Sequence, residues 1–254
     1  MARWQSARPS WSRQTRSLGR GGWATGIPTL PRHEATGYRG GFSRATTMTV
    51  RFKQIAFSVA ALCASAALAQ TRLPTIPPAS YSPEQKQAAV DFEAARKVPV
   101  FGPFEPLMYS PQVMSQARAM GDYLRYKSAL GTTLSELAIL VTAREWTQDY
   151  EWYVHHPIAL KAGIKPAIAD AIADGRRPLG MNDDEEIVYE FSMELHRTKR
   201  VSDVTFARAE KRFGKQGVVD LTGINAYYTL LAMQLNMAEY EIPKDGTRLQ
   251  RLPK

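Results

Sequence analysis

From residue 82 to residue 238 the chain is punctuated by helix signals, and no segment between them alternates like a strand. Ser82-Pro83-Glu84-Gln85 combines an N-cap, a proline at the first helical position and a Gln that closes a capping box. It predicts a helix to about Lys97, before Pro99. Ser110-Pro111-Gln112 opens another, to about Lys127. Gly131 to Glu136 opens a third, with Thr133 and Glu136 spaced as a second capping box. Its apolar residues Leu137, Ile139, Leu140, Val141 and Ala143 are too dense for a surface helix, so it is expected to be buried on most sides.

Thr147-Gln148-Asp149 reads as a break and a fresh N-cap. The next helix runs from about Asp149 to Lys161 and stops at Gly163, with Pro157 placed to kink or divide it. Lys165-Pro166 starts a short helix ending at Gly175. Asn182 starts one with acids on its positive end, and Ser202-Asp203 one that ends near Gly214. The last runs from about Gly217 to Ala238, with Val218, Leu221, Ile224, Tyr228, Leu231, Leu235 and Ala238 at spacings of three and four. The predicted fold class is all-α, a helical domain over 82–242 with a tail over 243–254.

The formal net charge of +9 points at first to a nucleic-acid or membrane partner. Its location removes that reading. Residues 1–47 carry eight Arg and one acid, Glu34, and residues 48–69 add Arg51 and Lys53. Residues 70–254 are then neutral overall, without a general pull on phosphate. No nucleic-acid partner is expected.

Residues 48–69 have a secretory layout: Arg51 and Lys53, an apolar run from Ile55 to Ala66, then Ala67-Leu68-Ala69 as a cleavage site. The run is too short to span a bilayer. These signals predict a periplasmic or secreted protein with no membrane attachment after cleavage, and Met48 as the true start with 1–47 upstream of it and disordered. Residues 70–81 hold Pro74, Pro77 and Pro78 and predict an extended lead-in. The single cysteine, Cys63, falls in the leader, so the mature chain has no disulfide, Cys-ligated metal or thiol nucleophile.

Three histidines remain: His155, His156 and His196. His196, in a last helical turn with Arg197 and Lys199, reads as a cation on the helix dipole. Glu151 and His155 are four apart on one helical face, and His156 lies about 100° away. If the helices on either side of Thr147 are antiparallel, His155 returns to the level of Glu136. A carboxylate on an imidazole fixes its tautomer and raises its basicity, as a general base requires. A core histidine satisfied by neighbouring acids fits the same spacing. A metal set of His155, Glu151 and Glu136 lacks the HExxH order, and no nucleotide-binding or nucleophile-elbow motif occurs.

Leu134 to Gly163 resembles the carboxymuconolactone decarboxylase-like family, which includes the alkyl hydroperoxidase D-like proteins. The resemblance rests on Leu134-Ser135-Glu136-Leu137-Ala138-Ile139-Leu140, on Tyr150-Glu151-Trp152 with His155, and on Ala159-Leu160-Lys161-Ala162-Gly163-Ile164. It implies an alkyl hydroperoxidase D-like helical bundle that forms homo-oligomers, trimers or hexamers. Peroxidase members carry a Cys-x-x-Cys pair at the positions held here by Gln148 and Glu151, so peroxiredoxin-type activity is opposed. The decarboxylase branch implies a lyase or isomerase with no cofactor and no metal, acting on a small lactone or keto acid. In that reading His155 and Glu136 are catalytic, Arg144 holds a substrate carboxylate, and Glu151 and Trp152 line the site. The alternative is a non-catalytic oligomeric protein that binds a small ligand.

Overall fold

The computed structural model describes residues 71–252, and the leader expected over 48–69 and the segment 1–47 lie outside them. Eight α-helices and no strand occur among the described residues: α1 Pro83–Arg96, α2 Phe104–Leu107, α3 Pro111–Tyr126, α4 Gly131–Glu145, α5 Asp149–Lys161, α6 Pro166–Ala173, α7 Asp183–Thr198 and α8 Asp203–Ala238. None of them is long and apolar enough to cross a membrane.

The starts follow local chemistry. Ser82 and Gln85 form a reciprocal capping box on α1, and Asn182 with Glu185 forms another on α7. Ser202 caps α8. The box expected from Thr133 and Glu136 does not form. Gly131, at φ +72, begins the helix two residues earlier, and the Thr133 hydroxyl donates to the carbonyl of Ala162. Glu136 is thereby freed to face inward.

The density of apolar residues on α4 has the expected consequence. Leu137, Ala138, Ile139 and Leu140 are fully buried, and α4 packs against α3, α5, α6, α7 and α8. The turn to α5 is tight. Thr147 takes a left-handed conformation, the Gln148 N–H donates to the Ala143 carbonyl, and the Gln148 side chain caps α5. Two antiparallel helices result, side by side.

Pro157 neither ends nor divides α5. It lies on the exposed side, where water can serve the carbonyl that loses its donor. The break expected near Gly214 is present as a single non-helical residue, after which α8 resumes without a loop. The four-residue helix α2 had no sequence signal. It packs Phe104 against Phe92 and Phe101, edge to face.

Candidate active site at His155

The α4–α5 hairpin brings together two residues 19 apart in sequence. His155 Nδ1 lies 2.6 Å from Glu136 Oε2, and both side chains are almost wholly buried. With a carboxylate at Nδ1, that nitrogen carries the proton and donates it, leaving Nε2 as the basic position. Nε2 is 3.5 Å from Glu151 Oε2, one turn earlier on α5. The imidazole therefore sits between two carboxyl groups. Tyr228 of α8 meets the ring edge to face at 5.0 Å, which holds its plane.

The site also contains cations. Arg125 of α3 brings Nη2 to 3.7 Å from Glu136 Oε1. Arg96, at the end of α1, lies over the Phe104 ring at 4.5 Å, and its Nε donates to Asp122 at 2.9 Å. Arg96, Arg125, Glu151, His155, Tyr227 and Tyr228 all border one small cavity of about 30 Å³, room for a water or two.

Burial pushes the Glu151 carboxyl from its ordinary 4.5 up to about 7; His155 and Arg125 pull it down, and Glu136 pushes it up. Glu151 is thus poised to exchange a proton near neutrality. Burial also raises the Tyr228 hydroxyl well above its ordinary value, so it stays protonated. Three buried side-chain atoms lack a hydrogen-bond partner among the described residues: Glu151 Oε1, Arg125 Nε and Arg96 Nη2. All three belong to residues that border this cavity.

Two other residues lie away from it. Arg144 lies eight residues after Glu136, at the other end of α4, and is committed to structure. Its guanidinium donates to the carbonyls of Ala173 and Gln250 and to the Thr147 hydroxyl, tying α6 and the C-terminal segment to the turn. Trp152 is buried on a different flank of α5, stacked on His156 at 5.5 Å. His196, expected as a cation on the helix dipole, instead turns inward. Its Nε2 lies 3.0 Å from both Thr142 Oγ1 and Asn225 Oδ1, and burial lowers its proton affinity.

No family model matches the chain, and no curated protein matches it. Solved structures do. One is the crystal structure of an alkylhydroperoxidase AhpD core, an uncharacterized peroxidase-related protein from Ralstonia eutropha JMP134. It is 17% identical, with a TM-score of 0.57, over 69% of this chain and 93% of that one. The chain has the alkylhydroperoxidase D-like fold. Within this AhpD-like fold the helix carrying His155 begins at Gln148, whose side chain is its cap, and Glu151 turns into the cavity. Neither position offers a thiol, and no cysteine occurs among the described residues.

Proposed function

We propose that this chain is a carboxymuconolactone decarboxylase-like enzyme, a cofactor-free lyase or isomerase that moves protons on a small lactone or keto acid. The observation that carries the reading is the placement of His155 between Glu136 and Glu151 in a buried, hydrogen-bond-deficient cavity. A core histidine needs partners for its own nitrogens. It does not need a second carboxyl group with an unpaired oxygen and a proton affinity near neutrality.

The division of labour follows from the geometry. Glu136 orients the ring and stabilises the imidazolium formed when Nε2 takes a proton from a carbon next to a carbonyl. Glu151 lies beside the same nitrogen and delivers a proton to another carbon of the substrate. The outcome is a shifted double bond. In a decarboxylation the C–C bond to the carboxylate breaks instead, carbon dioxide leaves, and the electron pair retained on carbon is quenched by that proton. Tyr228 and its neighbour Tyr227, both buried, form the wall opposite α5.

The test is a pH–rate profile over a panel of small lactones and keto acids. The expected profile has a limb near pH 7, and His155→Gln abolishes turnover while the protein still folds. If no member of the panel is turned over, and small ligands bind with equal affinity to wild type and His155→Gln, the chain is a binding protein rather than an enzyme.

A further inference from the structure

The Arg96 and Arg125 guanidiniums border a second space as well as the His155 cavity. On their outer side an open cleft of about 500 Å³ is lined by Val98, Phe101, Tyr126 and Lys127. That is the size of an ordinary small-molecule site. Arg96, Arg125 and Phe101 border both spaces, so they form the partition between an outer cleft and an inner cavity.

The charges around this partition do not balance. Arg96 and Arg118 share one carboxylate, Asp122, at 2.9 and 2.7 Å. Arg125 has Glu136 at 3.7 Å, and Glu136 is already hydrogen-bonded to His155. Lys127 adds a further positive charge at the cleft. Four cations, the exposed Lys127 among them, therefore face the carboxyl groups of Asp122, Glu136 and Glu151. The hydrogen bonding is deficient in the same place. Arg96 has a side chain nine-tenths buried, its Nε is held by Asp122, and its Nη2 has no partner among the described residues; Arg125 Nε has none either. The Arg96 fork is immobilised between Asp122 and the rings of Phe92 and Phe104, so ordering it on a ligand costs little further entropy.

We propose that Arg96 and Arg125 form an anion subsite at this partition, and that its ligand is a small organic carboxylate with an apolar body. The unpartnered Arg96 Nη2 and Arg125 Nε donate to the carboxylate, one nitrogen from each guanidinium. Val98, Phe101 and Phe104 suit the hydrocarbon part better than a bare inorganic anion. A ligand held there lies at the partition between the outer cleft and the inner cavity that Glu151 and His155 border. This deepens the proton-transfer reading by naming the substrate class, and it rests on that reading only for what happens after binding.

The experiment is isothermal titration calorimetry of the full chain with benzoate, benzamide and inorganic phosphate at low salt. Benzoate should bind, weaken as salt rises, and exceed both benzamide and phosphate by about tenfold or more. Arg96→Gln should weaken benzoate by about tenfold to a hundredfold and leave benzamide unchanged, with Arg96→Lys between. His155→Gln should retain benzoate binding, so a protein that binds benzoate without turning anything over defeats the catalytic reading and not this one. Equal binding of benzoate and benzamide, phosphate binding as tightly as benzoate, or no benzoate binding by the wild type would each overturn the subsite. The wild-type comparison decides the matter even if an arginine variant fails to fold.

Discussion

His155 Nδ1 and Glu136 Oε2 are 2.6 Å apart, joined across two helices that meet through the Thr147 turn. Among the described residues Glu136 has no other hydrogen-bond donor at its Oε2, and Arg125 stands off at 3.7 Å from Oε1. The pair fixes which imidazole nitrogen is basic. Glu136→Gln keeps the shape and removes the charge that stabilises the imidazolium. Turnover should fall by roughly 10²- to 10⁴-fold, mainly in kcat, while His156→Ala leaves it within about twofold. Steady-state kinetics of the two variants checks this. Equal losses would remove the distinction between the two histidines.

Glu151 has a thermodynamic signature. Its folded-state proton affinity is raised, from the ordinary 4.5 to about 7, mainly by burial. A carboxyl group of this kind contributes full stability below pH 4.5, and that contribution is lost as pH rises towards and through 7. Glu151→Gln has no such dependence. Relative to wild type it should gain on the order of 3 kcal/mol between pH 4 and pH 8. Thermal melts of both proteins across that range measure the difference, and parallel curves would count against the buried carboxyl.

His196 should matter for stability and not for the chemistry at His155. Its ring joins Thr142 of α4 to Asn225 of α8, and Asn225 also donates to Ser192 of α7. His196→Ala leaves these buried groups short of a partner and should cost about 1–3 kcal/mol. Because burial lowers its proton affinity below the ordinary 6.5, the wild type should hold this contribution above that pH and lose it as the solution is acidified. Urea denaturation at pH 8 and pH 5 tests both statements; activity at pH 8 should be unchanged.

We propose that residues 48–69 act as a secretory leader. Arg51, Lys53, the apolar run and Ala67-Leu68-Ala69 place cleavage after Ala69. Mass spectrometry of the native protein should find Gln70 at the N-terminus, and a mature protein that retains residues 48–69 would contradict export by this route.

Much of the fold was legible because it is written in local chemistry. Ser82, Asn182 and Ser202 cap the helices they precede, and the crowded apolar face of α4 is buried. The meeting of Glu136 with His155 was legible for a similar reason, since two adjacent helices joined by a tight turn have only one way to pair. Tertiary placement was not. Arg96 and Arg125 come from α1 and α3, outside the motif, and no spacing rule connects them to His155. Arg144 looked suitable as a free cation, but its guanidinium is spent on carbonyls of α6 and the C-terminal segment. His196 shares its turn with Arg197 and Lys199, which suggested a cation on the helix dipole, yet its ring points into the α4–α8 interface. The spacing of Thr133 and Glu136 satisfied a capping box, but a box requires Thr133 as the N-cap and Leu134 as the first helical residue, and the helix begins at Gly131.

The central claim is that His155 and Glu151 transfer protons to and from a bound carbon acid. The most direct measurement is deuterium incorporation, followed by proton NMR, into small lactones and keto acids incubated with the protein in D₂O. Wild type should exchange the proton next to the carbonyl of at least one compound, or release carbon dioxide from it, with a rate that changes around pD 7. His155→Gln should reduce the exchange to the uncatalysed rate and Glu151→Gln should remove the dependence near neutrality. Exchange that survives His155→Gln, or none above background in any compound, would contradict the account.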